Sequence, residues 1–290
     1  MSEFDILQTS EKEAFLNAYT GTSPVVTVPE VVAIGDDAFS RNKFIEEVII
    51  PEGVDYIGNY AFSECSNLKK IVLPKSLQEI NLGAFSGCTN LREINFPTKL
   101  RVIAPKAFLN CDSLFSNPIK LPDFLIEVAK DSFGEKTLDL LFSNPVYEQK
   151  DGLVFNTNAK SLLFSVDLEK ETVKIENGTK YLAWNSLSNM RNLKKVSVPN
   201  SVTYIGRGSF MFDSSLEEII LPSSVQSIDS GAFENCTKLK KVIVQGEGLM
   251  YIAPNAFSGC GELKTITVPS ECEIDELAFD RHCDVKHRNI

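Results

Sequence analysis

The sequence predicts a β-rich α/β solenoid of about ten stacked units. Three observations point to it: a recurring phrase, a near-constant spacing, and apolar residues that alternate within each copy. The phrase reads AFSECSNLKKIVLP from Ala61 and AFSGCTNLREINFP from Ala84. One copy cannot bury its own apolar edge, but copies that stack can cover one another.

One aromatic position marks the period. It recurs in steps of 23 residues in the first half of the chain and of 22 to 24 residues in the second half. The positions are Phe39, Phe62, Phe85, Phe108 and, after a two-residue insertion, Phe133, then Leu187, Phe210, Phe233, Phe257 and Phe279. Burying one Phe contributes roughly 1.5–3 kcal/mol, so a column of these rings would supply much of the stacking energy.

Each unit predicts two short strands and a turn. Ile71 and Leu73 alternate with outward positions, which is the period of a strand with one buried face. Pro74 lacks a backbone donor and should end that strand. The segment LQEI that follows offers a second extended piece, and GAFSGCTN is typical of a tight turn or a single helical turn.

The cysteines follow the same period. Five of the seven lie three residues after the aromatic position of their unit: Cys65, Cys88, Cys111, Cys236 and Cys260. We expect a ladder of small buried thiols, since free Cys packs as a small apolar residue. Equivalent side chains of stacked units point the same way, which suits disulfides poorly.

Charged pairs precede the strands and alternate in sign between units. Glu46-Glu47 lies one unit before Lys69-Lys70, and Glu217-Glu218 lies one unit before Lys240-Lys241. If the strands are lateral neighbours, acids should lie beside bases about 4.8 Å apart. Such exposed pairs contribute only about 0–1 kcal/mol each, so we expect them to fix register more than stability.

The unit LKKIVLPKSLQEINLGAFSGC resembles the BspA-like class of leucine-rich repeats, and the resemblance extends roughly from Pro24 to Val285. It implies a right-handed parallel solenoid with strands on a concave side. Members of that class are mainly surface or secreted proteins of bacteria and some protists, and several are adhesive, so the resemblance implies such a role here. The family's motif contains no catalytic residues, so none carries over to this chain.

Two segments interrupt the period. Residues 144–169 contain apolar runs separated by turns, which predicts an antiparallel meander with strands near Val146–Gln149, Leu153–Asn156 and Leu162–Val166. It would serve as a joint, a cap or a recognition loop. The segment before Pro24 should cap the solenoid, either as a hairpin or as a short helix around Glu11–Ala18.

These signals together divide the chain into four parts. Residues 1–24 form the cap, 25–140 the first repeat block, 141–172 the inserted meander, and 173–290 the second repeat block with a C-terminal tail.

Composition and motifs argue against several function classes. The net charge is −10 without a basic cluster, so we expect no nucleic-acid partner, and no apolar run is long enough for membrane insertion. There is no phosphate-binding or dinucleotide motif, and the only histidines are His282 and His287. With Asp280 and Cys283 they could ligate zinc, but we expect a frayed, solvated tail and no metal or other cofactor.

What remains for function is the surface. Seven outward strand positions form a mixed apolar and polar row, the outer stripe: Ile49, Val72, Asn95, Ser197, Ile220, Ile243 and Thr267. Exposed apolar residues in a row suggest a contact site, although β-propensity alone would also place Val, Ile and Thr there.

The sequence therefore predicts a non-enzymatic scaffold whose concave sheet binds a protein or a glycan. It would be a monomer or weakly self-associating, and the alternative is a structural, self-assembling solenoid. No secretory leader is apparent, so the chain is cytoplasmic as it stands, or it belongs at the cell surface or outside the cell if a leader was removed.

Overall fold

The computed structural model describes residues 3–8 and 13–288. The chain divides into two compact units, Met1–Tyr147 and Glu148–Ile290. Each unit is a parallel-strand solenoid with little helix, so the predicted fold class is confirmed. The described residues contain two 3-10 turns, Asp112–Ser116 and Gly134–Lys136, and one short helix, α1 (Thr137–Phe142).

The first unit contains two sheets made of strands that alternate along the chain. The strands are β1 (Phe4–Gln8), β2 (Ala14–Tyr19), β3 (Val25–Thr27), β4 (Ala33–Ile34), β5 (Glu47–Ile49), β6 (Tyr56–Ile57), β7 (Lys70–Val72), β8 (Glu79–Ile80), β9 (Glu93–Ile94), β10 (Val102–Ile103) and β11 (Glu127–Val128). The sheet whose strands precede the turns around the aromatic positions is called the turn-side sheet, and its order is β1-β2-β4-β6-β8-β10-β11. The sheet whose strands are followed by a proline is called the Pro-side sheet, and its order is β3-β5-β7-β9. All neighbours from β2 onward pair in parallel.

The second unit repeats this plan. Its strands are β12 (Tyr147–Lys150), which starts at the last residue of the first unit, β13 (Leu153–Asn156), β14 (Ser161–Ser165), β15 (Thr172–Lys174), β16 (Tyr181–Leu182), β17 (Lys195–Ser197), β18 (Tyr204–Ile205), β19 (Glu218–Leu221), β20 (Ser227–Ile228), β21 (Lys241–Val244), β22 (Tyr251–Ile252), β23 (Thr265–Val268), β24 (Glu273–Ile274) and β25 (Asp284–His287). The turn-side sheet has the order β12-β13-β14-β16-β18-β20-β22-β24, and the Pro-side strands pair as β15-β17, β19-β21 and β23-β25.

The aromatic column is present in both units. Phe85 stacks between Phe62 and Phe108, with ring centroids 5.2 and 5.1 Å away and interplanar angles of 3° and 8°. In the second unit, Phe233 stacks between Phe210 and Phe257 at 4.9 Å on each side. Each of these rings is at most 1% exposed. The repeat period therefore builds a continuous core from rings one unit apart.

The turns around each ring use left-handed backbone. Residues two before and two after the aromatic position have positive φ, as at Tyr60 and Glu64 around Phe62. Left-handed backbone costs most residues energy, which is why Gly and Asn recur at these places. At Gly83 a Cβ atom would also lie 2.5 Å from the Tyr60 ring, so a larger residue there would have to displace that side chain. The predicted tight turn is the observed conformation.

The two interruptions are antiparallel. Strands β1 and β2 pair antiparallel, so the N-terminal segment is a hairpin and residues 14–19 are extended rather than helical. Glu11 and Lys12 lie outside the described residues. Strands β13 and β14 also pair antiparallel, and β12 neighbours β13 in the sheet. The three meander strands lie within one residue or so of the predicted ranges.

The alternating charges pair across neighbouring turns as expected. Lys69 and Lys70 bond to Glu46 and Glu47 with N–O distances of 2.7 and 2.8 Å. Lys240 and Lys241 contact Glu217 and Glu218 at 3.4 and 3.2 Å. These side chains are largely exposed, so solvent screens the pairs and their contribution lies in register.

The prediction of a frayed C-terminal tail was wrong. Residues 284–287 form β25, which pairs in parallel with β23 from Thr265↔Asp284 to Val268↔His287. Phe279 stacks on Phe257 at 4.9 Å, as its place in the predicted aromatic series requires, so the last turn packs like the turns before it. The backbone gains a full ladder of hydrogen bonds there, and this outweighs the polar composition of the tail.

Candidate functional site

The outer stripe lies on the Pro-side strands of both units. Ile49 and Val72 are register partners in the first unit, as are Ile220 and Ile243 in the second. The backbone alternates along each strand, so residues on either side of these positions point into the core. Val48, Ile71, Ile219 and Val242 are at most 7% exposed. The outward placement of the stripe follows directly from this alternation.

The apolar part of the stripe is centred on Ile220, which is 44% exposed. Ile243 beside it is half-buried. The ion pair between Glu218 and Lys241 lies on the same two strands, two residues away from this apolar pair. An exposed apolar pair bordered by charges is typical of the centre and rim of a protein contact.

Asn95 has a structural role that its position in the stripe did not reveal. Its side-chain oxygen accepts a hydrogen bond from the Leu73 N–H, and its side-chain nitrogen donates to the Leu73 carbonyl, both at 2.9 Å. The amide thus replaces a peptide group at the end of β9. Asn95 is exposed, but both of its polar atoms already have partners within the sheet.

The five ladder cysteines are buried and unpaired, as predicted. Each thiol donates to a backbone carbonyl of the turn before it, for example Cys65 to Phe39 at 3.0 Å and Cys88 to Phe62 at 3.1 Å. Burial raises the pKa of the Cys65 thiol to about 12. The thiolate is the nucleophilic form, so these residues are structural rather than reactive.

The cysteine position of one turn is occupied by Asp213, three residues after Phe210. Its side chain is 0% exposed, and one carboxyl oxygen accepts a 2.8 Å hydrogen bond from the Met190 N–H. Within residues 13–288 the other oxygen, Oδ2, has no hydrogen-bond partner. Burial raises the pKa of this carboxyl to about 9. A strongly raised pKa often marks a catalytic acid, but no substrate can reach this group.

The C-terminal His and Cys residues do not converge. Among the described residues there is no group of three His, Cys, Asp or Glu side chains that could hold a metal ion. The Asp280 carboxylate accepts from the Gly259 N–H at 3.1 Å, and His287 Nδ1 lies 3.1 Å from the Pro269 carbonyl. These contacts tie the last turn to the solenoid.

No helix in the described part of the chain has the length and apolar character that crossing a bilayer requires.

Comparison with known proteins identifies the repeat. A family model described as "BspA type Leucine rich repeat region" matches residues 9–144 and 157–286, in six copies. None of the curated proteins matches the chain.

Several solved structures are similar to the chain at low sequence identity. A leucine rich cell surface protein from Faecalibacterium prausnitzii is 22% identical with a TM-score of 0.51, covering 100% of this chain and 94% of its own. A leucine-rich repeat protein from Eubacterium ventriosum is 20% identical with a TM-score of 0.45, covering 98% and 85%. The pneumococcal vaccine antigen PcpA is 17% identical with a TM-score of 0.42, covering 99% and 97%. At these identities the likeness concerns the fold alone.

Proposed function

Since the chain belongs to the BspA-type leucine-rich repeat family, we propose that it is a non-enzymatic scaffold that binds a protein partner through its outer stripe. The observation that supports this most directly is the exposed apolar pair of Ile220 and Ile243 on neighbouring strands. A repeat scaffold offers a long rigid surface, and burying the exposed part of these two Ile side chains would contribute about 1–2 kcal/mol in total, since full burial of one Ile contributes about 1.5–3 kcal/mol.

Adhesion is the form of this function that we favour. The Faecalibacterium prausnitzii protein is described as a cell surface protein, and an adhesive role follows for this chain if it is displayed in the same way. Exposed hydroxyl side chains, Ser197 and Thr267, also lie on the stripe, so a glycan is the alternative ligand. Digestion of the captured ligand with protease or with glycosidase separates the two.

Replacing Ile220 and Ile243 by Asp should abolish capture of the partner while leaving the fold intact, because both side chains point outward. The measurement compares pull-down by the wild-type chain and the double variant from the same extract, with circular dichroism as the check on folding. The matched control replaces both residues by Thr, which keeps β-branching but removes apolar area. Undiminished capture by the Asp variant would contradict the assignment of the outer stripe as the binding surface.

The second candidate function is self-assembly, and open sheet edges favour it. In the first unit, β3 and β9 are the terminal strands of the Pro-side sheet. A terminal strand leaves a row of backbone donors and acceptors available for pairing with another chain. Light scattering over a wide concentration range tests this: growth of the average mass with concentration supports assembly, and a constant monomer mass excludes it.

A further inference from the structure

The last strand of the Pro-side sheet in the first unit has an open groove where the next strand should lie. The sheet ends at β9, although the chain continues for another turn. That turn reads NPIK over residues 117–120, and these residues form neither strand nor helix. Pro118 has no backbone N–H to give to a neighbouring strand, which accounts for the interruption.

A cavity of about 660 Å³ lies between β9 and this segment. Its apolar lining includes Phe96, Leu114 and Ile119. A second cavity of about 270 Å³ lies on the other side of residues 117–119. The contact between the segment and β9 is slight: the side-chain amide of Asn117 donates to the backbone carbonyl of Arg92 at 3.5 Å. The segment therefore forms one wall of a groove without filling the strand position.

The backbone of β9 presents hydrogen-bonding groups to this groove, and the Arg92 carbonyl among them accepts the long 3.5 Å bond from the Asn117 side chain. On β5, two turns earlier, the equivalent bonds run from Lys69 N–H to Glu46 O and from Ile50 N–H to Val72 O. Adding two repeat periods places the Arg92 carbonyl and the Phe96 N–H at the corresponding positions on β9. Since backbone direction alternates along a strand, the N–H and carbonyl of Ile94 between them face the same way.

The rim of the groove is basic, in a chain whose net charge is −10. Three cationic side chains and one carboxylate line it: Lys70, Arg92, Lys120 and Glu93. Lys70 already pairs with Glu47 at 2.8 Å. For Arg92 and Lys120, residues 3–8 and 13–288 provide no carboxylate within 4 Å. Both side chains are exposed and available to an anionic ligand.

From this geometry we propose that the groove beside β9 binds an extended, acidic peptide segment of a partner protein as an added strand. The backbone of β9 supplies the hydrogen bonds, the apolar lining takes alternate side chains, and Arg92 and Lys120 select carboxylates. This inference rests on the proposed function, because Val72 and Asn95 of the outer stripe line the same groove. It adds a site and a chemical class of ligand to it.

A designed peptide tests the groove without knowledge of the natural partner. The probe is the blocked heptapeptide TVEVEVT carrying a fluorophore, and its counterpart is the basic TVKVKVT. We expect fluorescence anisotropy to show that the wild-type chain binds the acidic peptide more tightly. Charge reversal at both Arg92 and Lys120, to Glu, should invert that preference. Absence of binding by the acidic peptide, or no dependence on charge, overturns the proposal.

The backbone contribution has its own matched pair of variants. Ile94→Pro removes the N–H that faces the groove, whereas the bond from Glu93 N–H to Lys69 O, at 3.2 Å, is retained. Ile94→Val keeps the N–H. We expect the Pro variant to bind the acidic peptide about tenfold more weakly and the Val variant to bind almost normally. Equal binding by both variants overturns strand addition.

Two further measurements keep the result interpretable. If Ile94→Pro fails to fold, N-methylation of alternate amides in the peptide removes the same hydrogen bonds from the other side, and undiminished binding then counts against the proposal. The Ile220 and Ile243 double Asp variant should bind the peptide normally, so failure of the outer stripe and failure of the groove give different results. Self-association of the wild-type chain that is reversed by excess acidic peptide, measured by light scattering, would instead identify a second copy as the occupant and overturn the acidic-partner assignment.

Discussion

Replacing Asp213 by Asn should stabilise the second unit by up to about 4 kcal/mol at pH 7, and the gain should vanish near pH 4. Asn keeps the oxygen that accepts from the Met190 N–H at 2.8 Å. It removes the ionisable group whose other oxygen lies buried without a partner. Urea unfolding of the wild-type chain and the variant from pH 4 to pH 8 measures the difference.

The direction of this pH dependence follows from the raised pKa. The folded chain holds the Asp213 proton up to about pH 9, whereas the ordinary pKa of the carboxyl is 3.8. Between these two pKa values the Asp213 carboxyl is ionised in the unfolded chain but protonated in the folded chain. Rising pH therefore stabilises the unfolded chain and leaves the folded chain unchanged. Wild-type stability should therefore fall across this window by at most about 1.4 kcal/mol per pH unit.

A second substitution and a control sharpen the test. Asp213→Cys restores the residue found in the other ladder turns, where the thiol donates to the carbonyl 26 residues earlier, as Cys236 does to Phe210 at 3.0 Å. By the same offset the acceptor would be Leu187, but Cys lacks the oxygen that accepts from the Met190 N–H, so this variant should be stabilised less than Asn. Glu271→Gln removes an exposed carboxylate and should change little. A stability gain from Asp213→Asn that is independent of pH would contradict the linkage.

Much of the fold could be predicted because the repeat places equivalent residues at equal steps along the chain. Phe62, Phe85 and Phe108 recur at equal steps, and equal steps along a stacked chain bring equivalent side chains together. The same reasoning placed Cys88 in a buried column and Lys69 beside Glu46. The sequence signal was strong wherever each turn obeyed the consensus.

The remaining features arise where a turn departs from the consensus. Asp213 could have been found, because it stands three residues after Phe210, but a search for cysteine spacing passes over it. The alternation of the strand predicts Asn95 as an outward position, and only the structure shows its side-chain amide bonded to Leu73. The groove beside β9 depends on the path of the chain after Pro118. The local sequence pattern does not determine that path, because it is set by the tertiary structure.

The N-terminal hairpin shows the same limit for pairing. Acidic residues near Glu11 favoured a helix start, while the alternative was a hairpin of β1 and β2. The pairing of Phe4 with Tyr19 and the tilted contact of the Tyr19 ring with the Phe39 ring, with centroids 5.1 Å apart, resolve the choice for residues 14–19. A hydrogen-bonded edge and an aromatic contact with the first repeat outweigh local propensity.

Truncating one ring of the aromatic column should destabilise the first unit more than any surface change. Phe85→Ala removes a fully buried ring and both of its stacking contacts, and we expect a loss of about 3–5 kcal/mol. Hydrogen exchange followed by mass spectrometry resolves the loss peptide by peptide, with protection falling first around residues 57–108, since each turn contacts only its neighbours.

The controls use substitutions that the chain itself suggests. Phe85→Leu should cost much less than Phe85→Ala, because Leu187 occupies the equivalent position of another turn at 0% exposure. Phe124→Ala removes a ring that is 51% exposed and should leave protection almost unchanged. A Phe85→Ala effect no larger than that of Phe124→Ala would mean that the column adds little to stability. The energy holding the turns together would then have to come from the strand hydrogen bonds and the smaller apolar residues between the rings.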